Sequence, residues 1–224
     1  MRAVVFVGPS VPPETVRQMV DGRAEVLPPV RRGDIHALYR DGAAKPTHIG
    51  VIDGQFFQGL SISPKEILAV MDDHGAKVYG AASIGALRAA ELHTWGMTGI
   101  GEIFEMYRDG RVDGDDEVAI TYDEDTLRPL CEPMVNMRVA FDAARERGIV
   151  SADVAERAVE AAKALYFPDR TYRRVLDELA GTIPAGDHAR LAAFLEGEEA
   201  PDAKRADGIA LLERMLADAS SSAS

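Results

Sequence analysis

The sequence predicts an α/β fold, a mostly parallel sheet flanked by helices, followed by a helical C-terminal region. Three observations carry this. Short apolar runs alternate with helix-like segments through the first half. Serine, proline and glycine sit where helices should start and stop. Apolar stripes at spacings of three and four fill the second half.

The segment AVVFV (3–7) reads as a buried first strand and runs into the glycine–proline loop GPSVPP (8–13). A short helix over 14–20, a weak strand at 24–27 and a helix over about 35–41 come next, the last after PPVRRGD (28–34). THIGVIDG (47–54) is a strand ending at Asp53-Gly54. Ser63, Pro64 and Glu66 give an N-cap, a first-turn proline and a glutamate three residues on, opening a helix that Gly75 can close. AKVYGAAS (76–83) is the next strand and IGALRAAELHTWG (84–96) the next helix. In such a sheet, ligands bind in the loops beyond the strands' carboxyl ends.

Met134, Met137, Phe141 and Ala144 form one apolar stripe, and Val154, Ala158, Ala161 and Leu165 another. Tyr172, Leu176 and Leu179 form a third, and Ile209, Leu212, Met215 and Leu216 a last. These are docking faces, and the methionines read as core. GEEAPDAKR (197–205) reads as an exposed charged linker. The expected organisation is a core over 1–125, a helical region over 126–218 packed on or beside it, and a frayed tail over 219–224.

Composition excludes several classes. The chain is 46% apolar and 28% charged, ordinary for a globular protein. No apolar run is long enough to cross a bilayer, and residues 1–7 fit a strand better than a signal peptide, so a cytoplasmic location is expected. A net charge of −12 argues against a general nucleic-acid binder. The lone Cys131 excludes an intrachain disulfide framework.

GPSVPP matches neither common phosphate-loop pattern. Around Ser83 the chain reads Gly80-Ala81-Ala82-Ser83-Ile84-Gly85-Ala86, small residues between a strand and a helix. Ser83 is either an N-cap or an exposed nucleophile, with the amides of about Ile84 and Gly85 as oxyanion donors. Lys65, in the first turn of the preceding helix, is either a solvated lysine or a base for that serine. Asp53 ends its strand in a turn where aspartate is common. Asp115, Asp116 and Glu117 form an acidic cluster, read as a solvated or partner-facing loop before a metal site. Arg88 and Glu91, one turn apart, make a local pair or face the site.

The ordered fragments GPSVPP, PPVRRGDI (28–35), IGVIDGQFFQ (49–58), SPKEIL (63–68), GAASIGALRAAEL (80–92), GMTGIGEIF (96–104), YRDG (107–110) and DDEVA (115–119) together resemble the TfuA-like family. The resemblance covers residues 3–120. It implies a partner of YcaO-type ATP-dependent enzymes in thioamidation of peptide or protein backbones. The implied role is release of sulfide from the C-terminal thiocarboxylate of a ThiS-like sulfur carrier, and help to the YcaO-type enzyme with its precursor peptide. The family's hydrolase-like Ser–Lys pair carries onto Ser83 and Lys65, with Ser10, Ser61 and Ser63 as rival serines. Gly80, Ala82, Ile84 and Gly85 would then bind the oxyanion or the carrier tail, and Ser10, Asp53, Arg88 and Glu91 would line the site. Neither a cofactor nor a metal is implied. The alternative is a non-catalytic adaptor, with Arg31, Arg32, Asp34 and the acidic loop Asp115, Asp116 and Glu117 as partner-binding surface.

Overall fold

The structure, a computed structural model, describes residues 2–40, 44–56 and 59–221. The chain forms two compact units, Met1–Asp115 with Lys204–Ser224, and Asp116–Ala203. In order, the elements are β1 (Ala3–Phe6), α1 (Pro13–Val20), β2 (Glu25–Leu27), α2 (Asp34–Ala37), β3 (His48–Val51), α3 (Pro64–His74), β4 (Lys77–Gly80), α4 (Ile84–Leu92), β5 (Thr98–Gly99) and α5 (Glu102–Arg108). The second unit carries α6 (Met134–Glu146), α7 (Ala152–Ala164), α8 (Tyr172–Leu179) and α9 (Ala185–Glu196), and α10 (Ala203–Ser221) closes the chain.

Among the described residues the sheet is five-stranded and wholly parallel, in the order β2-β1-β3-β4-β5. β1 and β3 are buried at every position, as strands covered on both faces must be. Val5, Gly50 and Tyr79 share one register row. Val5 and Tyr79 join Val16 and Val20 of α1 and Leu211, Leu212 and Met215 of α10 in one apolar cluster. Right-handed crossovers leaving β1 and β3 in opposite directions place α1 on one face and α3 on the other. The order reverses between β1 and β3, so the ligand crevice of this topology lies beyond their carboxyl ends.

Glycine at position 50 is a requirement of this packing. A Cβ there would lie 2.8 Å from Leu211 Cδ2 and 3.1 Å from Met215 Sδ. A bare backbone in the middle of β3 therefore lets α10 lie against the sheet.

The start of α3 is the one the sequence predicts: the Glu66 N–H donates to Ser63 Oγ at 3.3 Å, and Gly75 closes the helix at φ +63°. The Glu66 carboxylate also accepts amide hydrogens from Gly33, Ile35 and His36, tying the start of α2 to α3. The helix expected over 35–41 is shorter, because α2 ends at Ala37, and residues 41–43 lie outside the described residues. β5 and α5 follow α4 where no element was expected.

The second unit has its own core, built by Met134, Met137, Phe141, Val154, Ala158, Leu176, Leu191 and Phe194. The expected exposed linker over 197–205 is corrected at its end. α10 begins at Ala203, and both Ala203 and Lys204 are buried. α10 then runs through Ser221, the remainder of the tail lying outside the described residues. No described helix is long and apolar enough to cross a membrane.

Candidate active site

Three strand ends and the start of α10 bring four polar side chains together. Ser10 follows β1, Asp53 follows β3, Ser83 follows β4, and Lys204 is the second residue of α10. They are 6%, 2%, 2% and 3% exposed. Lys204 Nζ donates to Ser83 Oγ at 3.1 Å and lies 3.9 Å from Asp53 Oδ1. Asp53 Oδ1 accepts the Ser10 hydroxyl at 2.6 Å, while Oδ2 accepts the amides of Gly8 at 2.8 Å and Ser10 at 3.0 Å. Buried charge is tolerated when it is paired and hydrogen-bonded, and this carboxylate organises the whole β1–α1 loop. It also occupies the place a phosphate would take, because the Gly8 and Ser10 amides are already bound to it.

The turn before Ser83 is strained. Ala82 has φ +64°, a left-handed conformation costing an L-residue roughly 1–2 kcal/mol. The Ser83 N–H closes a three-residue turn onto the Ala81 carbonyl at 2.7 Å. Strain of this kind gathers at functional sites. Ser83 occupies the N-cap position of α4 but makes no side-chain capping bond. Its hydroxyl goes to Lys204 instead.

The amides that follow Ser83 divide. Gly85 N–H donates to the Ile52 carbonyl at 3.3 Å, whereas Ile84 N–H has no acceptor among the described residues. Ile84 is the residue next to the serine, and its amide is one of the first in α4, which a helix leaves without an internal acceptor. Gly80 and Gly85 serve close packing: a Cβ on Gly80 would fall 2.1 Å from the Gly85 carbonyl oxygen, and one on Gly85 1.8 Å from that of Val51. Both glycines let α4 approach β3 and β4, which fixes Ser83 beyond the carboxyl end of β4.

Other expected residues lie elsewhere. Lys65 is exposed in the first turn of α3, and its ammonium makes no hydrogen bond or ion pair among the described residues. The lysine that the fold brings to Ser83 is Lys204. Arg88 donates to the Ile62 carbonyl at 2.9 Å and to both oxygens of Glu91 at 2.7 Å, bracing the segment before α3. Arg31 and Arg32 are exposed, and Asp34 accepts the Arg31 amide at 2.7 Å as a local turn.

The acidic cluster is mostly internal. Glu117 takes Arg138 through two bonds of 2.9 Å and Lys163 at 2.8 Å. Asp116 takes Lys163 at 2.9 Å and Arg170, which is 1% exposed, at 3.2 Å. Burial raises the cost of ionising these carboxyls, but the Arg138, Lys163 and Arg170 hydrogen bonds outweigh it and hold both below their usual range. Asp115 alone of the three is exposed.

Lys204 was missed because GEEAPDAKR has the composition of a solvated linker. The signal that could have found it is the stripe Ile209, Leu212, Met215 and Leu216. Extended backwards by helical spacing, it reaches Gly208 and then Lys204 on a face that must be buried.

A doubly wound parallel sheet with a buried serine–lysine–aspartate cluster at its switch point defines the class of this molecule. Residues 53–171, just over half of the chain, match the model of the family described as TfuA-like protein. The chain belongs to the TfuA-like family. The matched span contains Asp53 and Ser83 and stops short of Lys204. No curated protein matches the chain significantly.

Proposed function

We propose that the protein is a serine–lysine hydrolase that releases sulfide from the C-terminal thiocarboxylate of a ThiS-like carrier, in support of a YcaO-type enzyme that thioamidates a peptide backbone. The observation that carries this reading is the 3.1 Å contact between Lys204 Nζ and Ser83 Oγ, set directly after a strained turn. Family membership supplies the substrate class and the partners.

Ser83 Oγ attacks the thiocarboxyl carbon while Lys204, in its neutral form, takes the hydroxyl proton. The Ile84 amide receives the negative charge that develops on oxygen. As the carbon–sulfur bond breaks, Lys204 returns that proton to the sulfur, and hydrosulfide leaves a Ser83 ester. Water activated by the same lysine then cleaves the ester, giving a carboxylate and restoring Ser83. A slender acyl end suits a serine this buried.

The test is sulfide release from purified thiocarboxylated carrier without the YcaO-type enzyme. Ser83→Ala and Lys204→Met should each lower turnover at least about 10³-fold. Lys204→Arg should fail as well, because a guanidinium does not give up its proton near neutral pH. Normal release by folded Ser83→Ala would refute the mechanism. Retained binding of the YcaO-type enzyme by the same variant would separate hydrolysis from docking.

A further inference from the structure

We infer that Asp53 is a positioning residue that captures the ammonium formed when Lys204 takes the Ser83 proton. The inference rests on the Ser83–Lys204 reading and adds to it a second station for the lysine. A carboxylate offers about four acceptor positions. On Asp53 the two amides fill Oδ2, and the Ser10 hydroxyl takes one position on Oδ1. The position left over is on Oδ1, the oxygen 3.9 Å from Lys204 Nζ. That distance is too long for a hydrogen bond, and closing it needs a shift of about 1 Å.

Asp53 is also held where it cannot follow the lysine. Its amide faces the Phe6 carbonyl at 3.4 Å, and its carbonyl accepts the Val30 amide at 2.9 Å. The carboxylate is therefore fixed and the lysine is the moving part. Before proton transfer Lys204 points at Ser83. As the serine oxygen bonds to carbon, the ammonium so formed swings to Oδ1. On its return it delivers the same proton to the leaving group, so the cycle balances without another acid. The β1–α1 loop belongs to this device, since Gly8 and Ser10 hold the carboxylate in place.

The test uses methanesulfonyl fluoride, which sulfonylates a reactive serine oxygen as fluoride departs and the hydroxyl proton passes to the base. Inactivation kinetics separate the maximal rate from the binding constant, and peptide mass locates the adduct. In the wild type the adduct should sit on Ser83. Asp53→Asn should lower the maximal rate about 10²-fold or more with an unchanged binding constant. Ser10→Ala loses a loop bond and keeps the carboxylate facing Lys204, so it should cost less than about 10-fold. A second measurement needs no variant: in a crystal structure of the sulfonylated wild type, Lys204 Nζ should lie about 3 Å from Asp53 Oδ1. Absence of any wild-type adduct on Ser83 would overturn the serine–lysine reading and this inference with it. A wild-type rate in Asp53→Asn, or a Lys204 still turned from Asp53 in the adduct, would overturn this inference alone.

Discussion

Each of the two units buries charged side chains, and they do it differently. In the helical unit Arg170 is spent on fixed acceptors, the carbonyls of Ala162, Asp116 and Leu165 and the Asp116 carboxylate. Glu117 is gripped by Arg138 and Lys163. In the α/β unit Lys204 lies nearer to a serine hydroxyl than to the carboxylate beside it. The first arrangement staples helices together. The second holds a lysine nitrogen against a serine hydroxyl. Burial of charge is thus no guide to chemistry by itself; what the charge faces decides.

The largest effect that sharpens this contrast should come from Arg170→Met. Leaving buried carbonyls unmatched should cost roughly 3 kcal/mol of stability, measured by urea unfolding, while the folded variant keeps its sulfide release. Loss of release in a well-folded variant would break the distinction between staple and site.

Gly50→Ala tests the α/β unit in a complementary way. Its Cβ would press on Leu211 and Met215, ends of flexible side chains, so the cost should be about 1–3 kcal/mol. Because α10 carries both those residues and Lys204, turnover at a temperature where the protein is folded should fall too. Unchanged turnover would show that the lysine is positioned independently of this packing.

The two units should also respond oppositely to pH. Burial pushes Asp207 up to about 6, against the pull of the Ile103 and Glu102 amides that it accepts at 2.8 Å and 2.9 Å. Its unfolded value is 3.8, so the folded state holds the extra proton between those limits. The stability Asp207 contributes is full below pH 3.8 and is lost as pH rises through about 6. Asp116 and Glu117 are held low instead, so their contribution is present above their unfolded values and lost as pH falls through the folded ones. Asp207→Asn should remove the loss between pH 4 and 6, roughly 2 kcal/mol. Amide hydrogen exchange resolved by unit would read both slopes, and a variant with the wild-type slope would remove Asp207 from the account.

The smallest expected effect is that of Lys65→Met. An exposed lysine with no ionic partner among the described residues should change stability within about 0.5 kcal/mol and leave sulfide release as it is. A large loss of turnover would return the base to α3 and dissolve the role given to α10.

The sequence by itself determined a good deal. The runs at 3–7 and 47–54 read as strands from their short apolar stretches, and both lie inside the sheet. Ser63, Pro64 and Glu66 fixed the start of α3 through local hydrogen bonding, and small residues around Ser83 marked the strand-to-helix turn. The family was legible from ordered fragments in the first 120 residues. All of these are short-range signals, written within a turn or a strand of the residues they govern.

Only the tertiary structure decided which lysine meets Ser83. Lys65 lies 18 positions away and begins a helix after a strand, as Ser83 does, whereas Lys204 lies 121 positions away in a stretch that looks solvated. The same holds for Glu66, which resembles an ordinary capping glutamate and is claimed by the amides of a separate helix. It holds too for Asp116 and Glu117, which resemble a solvated acidic loop until Arg138, Lys163 and Arg170 arrive from three later segments. The physical reason is common to all: local hydrogen bonds depend on nearby residues, but a buried charge is placed by whichever distant cation or anion the packing of apolar faces brings to it.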